Sequence, residues 1–386
     1  MEVSRCFDGG KMKILYFSRD YTTHDRRFLM KLAESRHEVW FLRLEDDGIT
    51  YEDRPLPEKI RQVNWRGGRE RHKTLEAWMH LMPDFESVVD QIHPDLVHAG
   101  PIQSCGFMTA LAGFRPLLLM SWGSDILVDA DRDKMWRWMT RYALYRSDML
   151  LCDCQAVRLK VQQLLPYVDE HIVQLPWGID LQHFAPGADS SFLKNRMGWD
   201  NSFLILSTRS WEKVYGIDTL LEAFLQAYSQ NSNLRLMLLG NGSLASEIQR
   251  FIANHDLNDV VYRPGMVPHE QLPDYFRAAD LYLSCSQSDG TSVSLLEAMA
   301  TGLPVVVTDG PGNREWVVTG QNGWLAPAGN PEAFAQSLLQ AGGMVSTERA
   351  RISRRNRQAA EERANWDMNF ARLLAAYDKI EGKYVR

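Results

Sequence analysis

No run of about 18 apolar residues occurs anywhere in the sequence, so nothing in it reads as a membrane-spanning helix. The opening MEVSRCFDGGK also lacks the apolar stretch of a signal peptide, and a cytoplasmic protein is the expectation. Cysteine is scarce. Five thiols (Cys6, Cys105, Cys152, Cys154, Cys285), odd in number and scattered, argue against a disulfide framework and fit a reducing compartment. Cys152-Asp153-Cys154 has neither a redox nor a zinc spacing, so buried structural thiols are expected. An excess of positive charge is missing as well: 43 Lys and Arg stand against 49 Asp and Glu, a net charge of -6, which argues against a nucleic-acid partner. No internal repeat and no low-complexity segment appears.

What is present is enough chain for two domains. At 386 residues the sequence exceeds what one ordinary core encloses, which is roughly 250 to 300 residues. Lys13-Ile14-Leu15-Tyr16-Phe17-Ser18 reads as a buried strand, an amphipathic helix follows near Arg27 to Leu32, and His37 to Leu42 is the next strand. Short apolar runs at Asp95–His98, Pro116–Met120 and Asp148–Leu151 continue a β-α series, and the polar stretch 46–73 reads as a loop. Pro and Gly punctuation from Leu175 to Gly187 marks a crossing between domains. A second β-α series begins there, with strands at 203–207, 234–239, 260–262, 281–283 and 304–307. The fold class is therefore α/β with two parallel sheets. The expected division is 1–182 and 183–366, with a C-terminal helix, 367–386, whose Trp366, Phe370, Leu373, Leu374 and Tyr377 form one apolar stripe.

Open parallel sheets bind ligands at the carboxyl ends of their strands. There the sequence places two acids, Asp289 in a loop after the strand Leu281-Tyr282-Leu283 and Glu297 inside the helix that follows. The start of that helix presents unpaired N–H groups and about half a positive charge, a ready phosphate site. Two acids also suggest glycoside hydrolysis, but eight residues at about 1.5 Å each separate them by about 12 Å along a helix. Hydrolase carboxylates stand about 5 to 9.5 Å apart. Gripping two ends of one extended ligand suits the pair better.

The stretch Asp289-Gly290-Thr291-Ser292-Val293-Ser294-Leu295-Leu296-Glu297-Ala298-Met299-Ala300-Thr301-Gly302-Leu303-Pro304-Val305-Val306 resembles the donor-site signature of the retaining family-4 glycosyltransferases of the two-Rossmann (GT-B) fold. Leu239-Gly240-Asn241-Gly242-Ser243, Arg263-Pro264-Gly265-Met266, Tyr275 to Asp280 and Gly320 to Leu325 follow the order of that family. The resemblance implies two Rossmann-like β/α/β domains facing across a cleft, with acceptor in the first, donor in the second, and the C-terminal helix crossing back. It implies a nucleotide-diphosphate sugar (UDP- or GDP-type) as co-substrate, a hydroxyl acceptor such as a sugar or lipid-linked sugar, and no metal or other cofactor. By the same resemblance Glu297 meets the ribose hydroxyls and Asp289 the transferred sugar, while Gly290, Thr291, Ser292 and Val293 offer backbone N–H groups. Arg209 and Lys213 then form the basic pair on the diphosphate, completing the catalytic set with Asp289, and Gly240, Arg263 and Met266 lie at the base.

The sequence departs from that pattern in several places. Asp289 stands where the family usually has Glu. The family's Lys directly before Gly is Tyr215 here, with Lys213 three residues before Gly216. Trp122 replaces a His in Ser121-Trp122-Gly123-Ser124-Asp125, and a Gly-Gly after the first strand is replaced by Ser18 to Asp25. Trp122, Asp125, His24 and Arg19 are the acceptor-side candidates, with capping by Asp125 and plain solvent exposure for the loop as the alternatives. Asp129-Ala130-Asp131 imitates a metal-binding Asp-x-Asp, but acids leading a helix explain it as well. That helix, 134–146, interleaves Trp136, Trp138, Tyr142 and Tyr145 with Lys134, Arg137, Arg141 and Arg146, which fits either packing with solvated charges or contact with a membrane face. A nucleotide-sugar epimerase on the same fold and a catalytically silent sugar-nucleotide binding protein are the rival classes.

Overall fold

The computed structural model describes residues 10–46, 48, 50–70, 74–166, 169–187 and 191–384. The signal-peptide reading of residues 1–9 and the thiol of Cys6 lie outside these. The chain divides into two compact units, Met1–Leu175 with Phe370–Arg386, and Pro176–Asn369.

The first unit holds seven parallel strands: β1 (Lys13–Ser18), β2 (Glu38–Arg43), β3 (Arg61–Gln62), β4 (Leu96–Gly100), β5 (Leu117–Met120), β6 (Met149–Cys152) and β7 (Ile172–Gln174). Their order across the sheet is β3-β2-β1-β4-β5-β6-β7, every pair parallel. β4, β5 and β6 are buried at every position, as expected where helices cover both faces of a parallel sheet and the strands become continuous apolar runs. Helix α1 (Thr23–Glu34) starts at a capping box in which Thr22 and Asp25 satisfy each other's backbone N–H groups. Helix α2 (Lys134–Arg146) is capped by Asp133, whose carboxylate accepts from Trp136 N at 2.9 Å, so the acids before it serve the helix start.

The second unit repeats the plan with β8 (Phe203–Ser207), β9 (Leu234–Leu239), β10 (Val261–Gly265), β11 (Leu281–Ser284), β12 (Val305–Thr308) and β13 (Gly323–Ala326). The order is β10-β9-β8-β11-β12-β13, again all parallel. Helix α3 (Ile217–Gln230) packs Leu220, Ala223, Phe224 and Ala227 onto this sheet. Each large apolar side chain so buried contributes about 1.5 to 3 kcal/mol, and Phe224→Ala would leave the largest void on that helix face. Helix α4 (Val293–Ala300) follows β11 and buries six of its eight residues, Leu295 through Ala300.

In both sheets the chain winds outward from a central pair, β1 and β4 in the first, β8 and β11 in the second. The strand order reverses at that pair, so the following loops part and leave a crevice at the carboxyl edge. The terminal helix α5 (Trp366–Tyr384) supplies the first unit from Phe370 onward; Phe370, Leu373 and Tyr377 of the expected stripe are buried there. Strands β3, β7 and β13 were not expected. β3 falls in the stretch read as loop, and its two exposed residues become strand only because β2 offers an open edge. The thiols of Cys105, Cys152, Cys154 and Cys285 are buried, as their sparse placement implied.

Candidate functional site

In the second unit the crevice lies where β8 and β11 end. Arg209 leaves β8 two residues after its last residue, and Asp289 follows β11 by five. These side chains, 80 residues apart in sequence, form an ion pair of 2.8 Å, 12% and 15% exposed. The other end of the guanidinium donates from Nη1 to Ser292 Oγ at 2.9 Å and Ser294 Oγ at 3.3 Å. Ser294 Oγ in turn accepts from the buried Tyr282 hydroxyl at 2.7 Å. Burial is the largest influence on Arg209 and works against its charge, but Asp289, Tyr282 and Tyr215 together outweigh it, and its pKa lies above the usual arginine value.

Two atoms of this pair are left over. Arg209 Nε and Asp289 Oδ2 are buried and have no hydrogen-bond partner among the described residues. One is a donor on a cation, the other an acceptor on an anion. Leaving such groups unsatisfied costs about 1 to 3 kcal/mol each, more for charged ones. A ligand that presents an anionic oxygen beside a hydroxyl relieves both. The hydroxyls of Ser207 and Thr308, at the ends of β8 and β12, are likewise buried without partners.

The surrounding backbone is held tightly. Trp211 N donates to Asn241 O at 2.9 Å and Gln287 N to Val214 O at 2.9 Å, which ties the loop after β8 to those after β9 and β11. Gly216 has φ +61°, and a Cβ there would lie 2.1 Å from Cys285 O, so only glycine closes this turn. Gly240 is equally constrained, with φ +125° and Arg209 O 2.8 Å from where a Cβ would be. Ser292 caps α4 without a side-chain bond to its N–H groups. Gly290, Thr291 and Ser292 are buried and Val293 half-buried; Glu297 is 8% exposed, one turn inside the helix. Arg263 is half-buried and Met266 is 69% exposed. Lys213 is exposed and makes no side-chain ion pair or hydrogen bond among the described residues. The group that meets Arg209 is instead Tyr215, whose ring centre lies 4.2 Å from the guanidinium carbon. Sequence reasoning gave Tyr215 no role, although its place directly before Gly216 was the available signal.

At the carboxyl edge of the first unit Asp125 and Arg19, both acceptor-side candidates, are engaged within the protein. Asp125 is 3% exposed and accepts from Ser121 Oγ at 2.6 Å and Ile102 N at 3.1 Å. Burial raises its pKa to about 6 against those bonds. Asp125 therefore shapes the loop after β5, in keeping with a part in ordering that loop, and exposes little of its carboxylate. Arg19 is ion-paired with the buried Glu45. What this edge presents is aromatic: Trp122, half-buried, lies 5.5 Å ring to ring from His24 and 6.3 Å from Phe28. Beneath them His98, fully buried, bonds through Nδ1 to Tyr377 Oη at 2.7 Å, and burial lowers its pKa to about 3. Asp131 of the Asp-x-Asp stretch is ion-paired with Arg137 and Lys160, and no three His, Cys, Asp or Glu side chains converge as a metal site among the described residues.

Comparison with known proteins covers both units. Residues 190–358 match the family of glycosyl transferases group 1, and residues 13–154 match the glycosyl transferase 4-like family. The putative colanic acid biosynthesis glycosyltransferase WcaL of Escherichia coli (strain K12) is 29% identical over 231 residues, 57% of this chain and 54% of that protein. The amylovoran biosynthesis glycosyltransferase AmsK of Erwinia amylovora is 33% identical over 154 residues, 38% of each. The chain thus spans about half, or less, of the curated relatives it matches. Among solved structures, sucrose-phosphate synthase from Thermosynechococcus elongatus superposes with a TM-score of 0.80 at 17% identity, covering 96% of this chain and 100% of that one. HepE of Anabaena in complex with UDP-glucose gives 0.76 at 20% identity, covering 95% and 100%. At these identities the structural likeness shows the fold.

Proposed function

We propose, for a chain that belongs to the family-4 glycosyltransferases of the GT-B fold, that it transfers a sugar from a nucleoside-diphosphate sugar to a hydroxyl acceptor, with retention at the anomeric carbon. The observation that carries the reading is the Arg209–Asp289 pair with its two unpartnered buried atoms. Arg209 Nε–H donates to a phosphate oxygen of the departing nucleoside diphosphate, and Asp289 Oδ2 accepts from a hydroxyl of the transferred sugar. Fixed positive charge where negative charge develops is the main catalytic lever such a site possesses. The N–H groups opening α4 add to it, Glu297 takes the ribose hydroxyls, and Gly240, Arg263 and Met266 border the base. Asp289 is held at one oxygen by Arg209 and in this reading meets a sugar hydroxyl with the other, so it is assigned to positioning the sugar and not to attack on it. The acceptor oxygen then attacks from the face the phosphate leaves: its bond to the anomeric carbon forms as the phosphate bond breaks, the electron pair goes to the phosphate, and the acceptor proton follows it there.

HepE, solved with UDP-glucose, supports a UDP-type donor, and relatives named for amylovoran and colanic acid biosynthesis support a sugar acceptor. The acceptor meets the first unit at Trp122 and His24. Incubation with UDP- and GDP-sugars and a permissive glycoside, followed by NMR of the product, tests this: an α-linked product from an α-linked donor is expected. Isomerised donor without acceptor, or tight binding without turnover, would contradict it.

We extend the proposal to location. The face of α2 opposite its buried residues Met139, Thr140, Ala143 and Leu144 carries Trp138 at 52% and Tyr145 at 74% exposure with the exposed cations Lys134 and Arg141, while Arg137 beside them is ion-paired with Asp131. An anionic bilayer matches that chemistry. Co-sedimentation with phosphatidylglycerol vesicles, lost on Trp138→Ser with Tyr145→Ser, is the expected result; equal sedimentation of both proteins would remove it.

A further inference from the structure

The site that binds the diphosphate in the reading above has one buried cation where its family pattern has two, and the missing charge is replaced by a ring. Tyr215 occupies the position directly before Gly216, and Arg209 lies over its face at 4.2 Å. The guanidinium is thereby held on three sides. Nη2 is bound by Asp289, Nη1 by Ser292 and Ser294, and the flat face rests on Tyr215. Only the Nε–H edge remains, and that edge is buried and unpartnered.

An arginine bound at its two ends alone can still tilt about the axis through them, which swings Nε out of line. A ring against the plane removes that freedom, and the cation–π attraction is strongest where water is excluded. Tyr215 is itself fixed. Its N–H donates to Glu212 O at 2.9 Å, the preceding Val214 O accepts from Gln287 N at 2.9 Å, and Gly216 closes the turn against Cys285. Lys213, the other candidate for a second cation, is exposed. We infer that Tyr215 is the positioning residue for Arg209: its ring face orients the one cation of the anion site so that Nε points at the incoming phosphate oxygen. This inference rests on the proposed donor reading and adds the means by which a single cation serves it.

The test is titration of the full chain with UDP and GDP. Wild type is compared with Tyr215→Phe, Tyr215→Leu, Arg209→Met and the double variant Arg209→Met with Tyr215→Leu. Tyr215→Phe keeps the ring and should bind the preferred nucleotide within about twofold of wild type, whereas Tyr215→Leu should bind about tenfold more weakly, as for a desolvated cation–π contact. In the Arg209→Met background the Leu substitution should add less than about twofold, because its target is gone. Binding by Tyr215→Leu equal to wild type overturns the inference. So does a loss in Tyr215→Phe as large as in Tyr215→Leu, or a full loss in the Arg209→Met background. If Tyr215→Leu does not fold, Tyr215→Met makes the same comparison. A wild-type chain that binds neither nucleotide removes the donor reading itself, and this inference with it.

Discussion

The carboxyl edges of the two sheets are built from one winding plan, yet Asp289 in one and Asp125 in the other are bound differently. In the second unit Asp289 keeps an oxygen without a partner and Arg209 keeps an N–H without one, both buried. In the first unit Asp125 gives its carboxylate to Ser121 and Ile102, and Asp25 gives its own to Thr22 and Tyr16. The Arg209–Asp289 pair offers a donor and an acceptor, while around Trp122 the first unit offers rings. A ligand common to a whole family, such as a nucleoside diphosphate, suits fixed and unsatisfied polar atoms. A variable acceptor suits a surface of apolar faces and few obligatory bonds.

The largest expected break in that comparison is Arg209→Met. Removing this buried cation should lower turnover by about a hundredfold or more, as for loss of a main stabiliser of developing charge, and should lower the thermal midpoint as well, because Asp289 is left buried without its partner. Next is a test of stability confined to the first unit. His98 has an ordinary unfolded pKa of about 6.5 and a folded value of about 3, lowered by burial against Tyr377 and Tyr16. The unfolded chain therefore binds the extra proton, and this contribution is complete above about pH 6.5 and lost as pH falls toward 3. His98→Phe should flatten the fall in unfolding free energy between pH 6 and 4 by about 1.4 kcal/mol per pH unit. Asp125, whose pKa is raised by burial, acts with the opposite sign, so the wild-type slope alone does not isolate His98. An unchanged slope in the variant would show that His98 is not held neutral.

A smaller effect is expected at Glu297. Glu297→Ala should weaken donor binding by about 1 kcal/mol or more, the loss expected when hydrogen bonds to a charged group are removed; an unchanged dissociation constant would move the ribose elsewhere. The smallest concerns Trp122. Trp122→Ala should raise the acceptor KM about threefold to tenfold, in line with loss of one ring contact, while donor affinity holds. A fall in donor affinity instead would erase the distinction between the edges.

Much of this was legible in the sequence because it depends on local pattern. Val305-Val306-Val307 could only be a buried strand, and the acid–glycine–helix run from Asp289 to Glu297 announced a helix start. What escaped depends on meetings between distant segments. Arg61-Gln62 carries no strand signal of its own and pairs because β2 has a free edge. Asp125 reads from sequence as a polar loop residue, and its enclosure becomes visible only when the loop after β4 folds against it. Tyr215 looked like a mere departure from pattern; its ring acquires meaning because the turn closed by Gly216 returns it beneath Arg209. Asp289 and Arg209 were each legible, and their pairing was not, since 80 residues separate them.

In the proposed function the unpartnered atoms of Arg209 and Asp289 are the grip on the donor. A crystal structure of the chain with an unhydrolysable nucleotide sugar tests it most directly. A phosphate oxygen within hydrogen-bond distance of Arg209 Nε and a sugar hydroxyl on Asp289 Oδ2, at the ends of β8 and β11, are expected. A nucleotide sugar bound elsewhere, with both atoms still unpartnered, would contradict it.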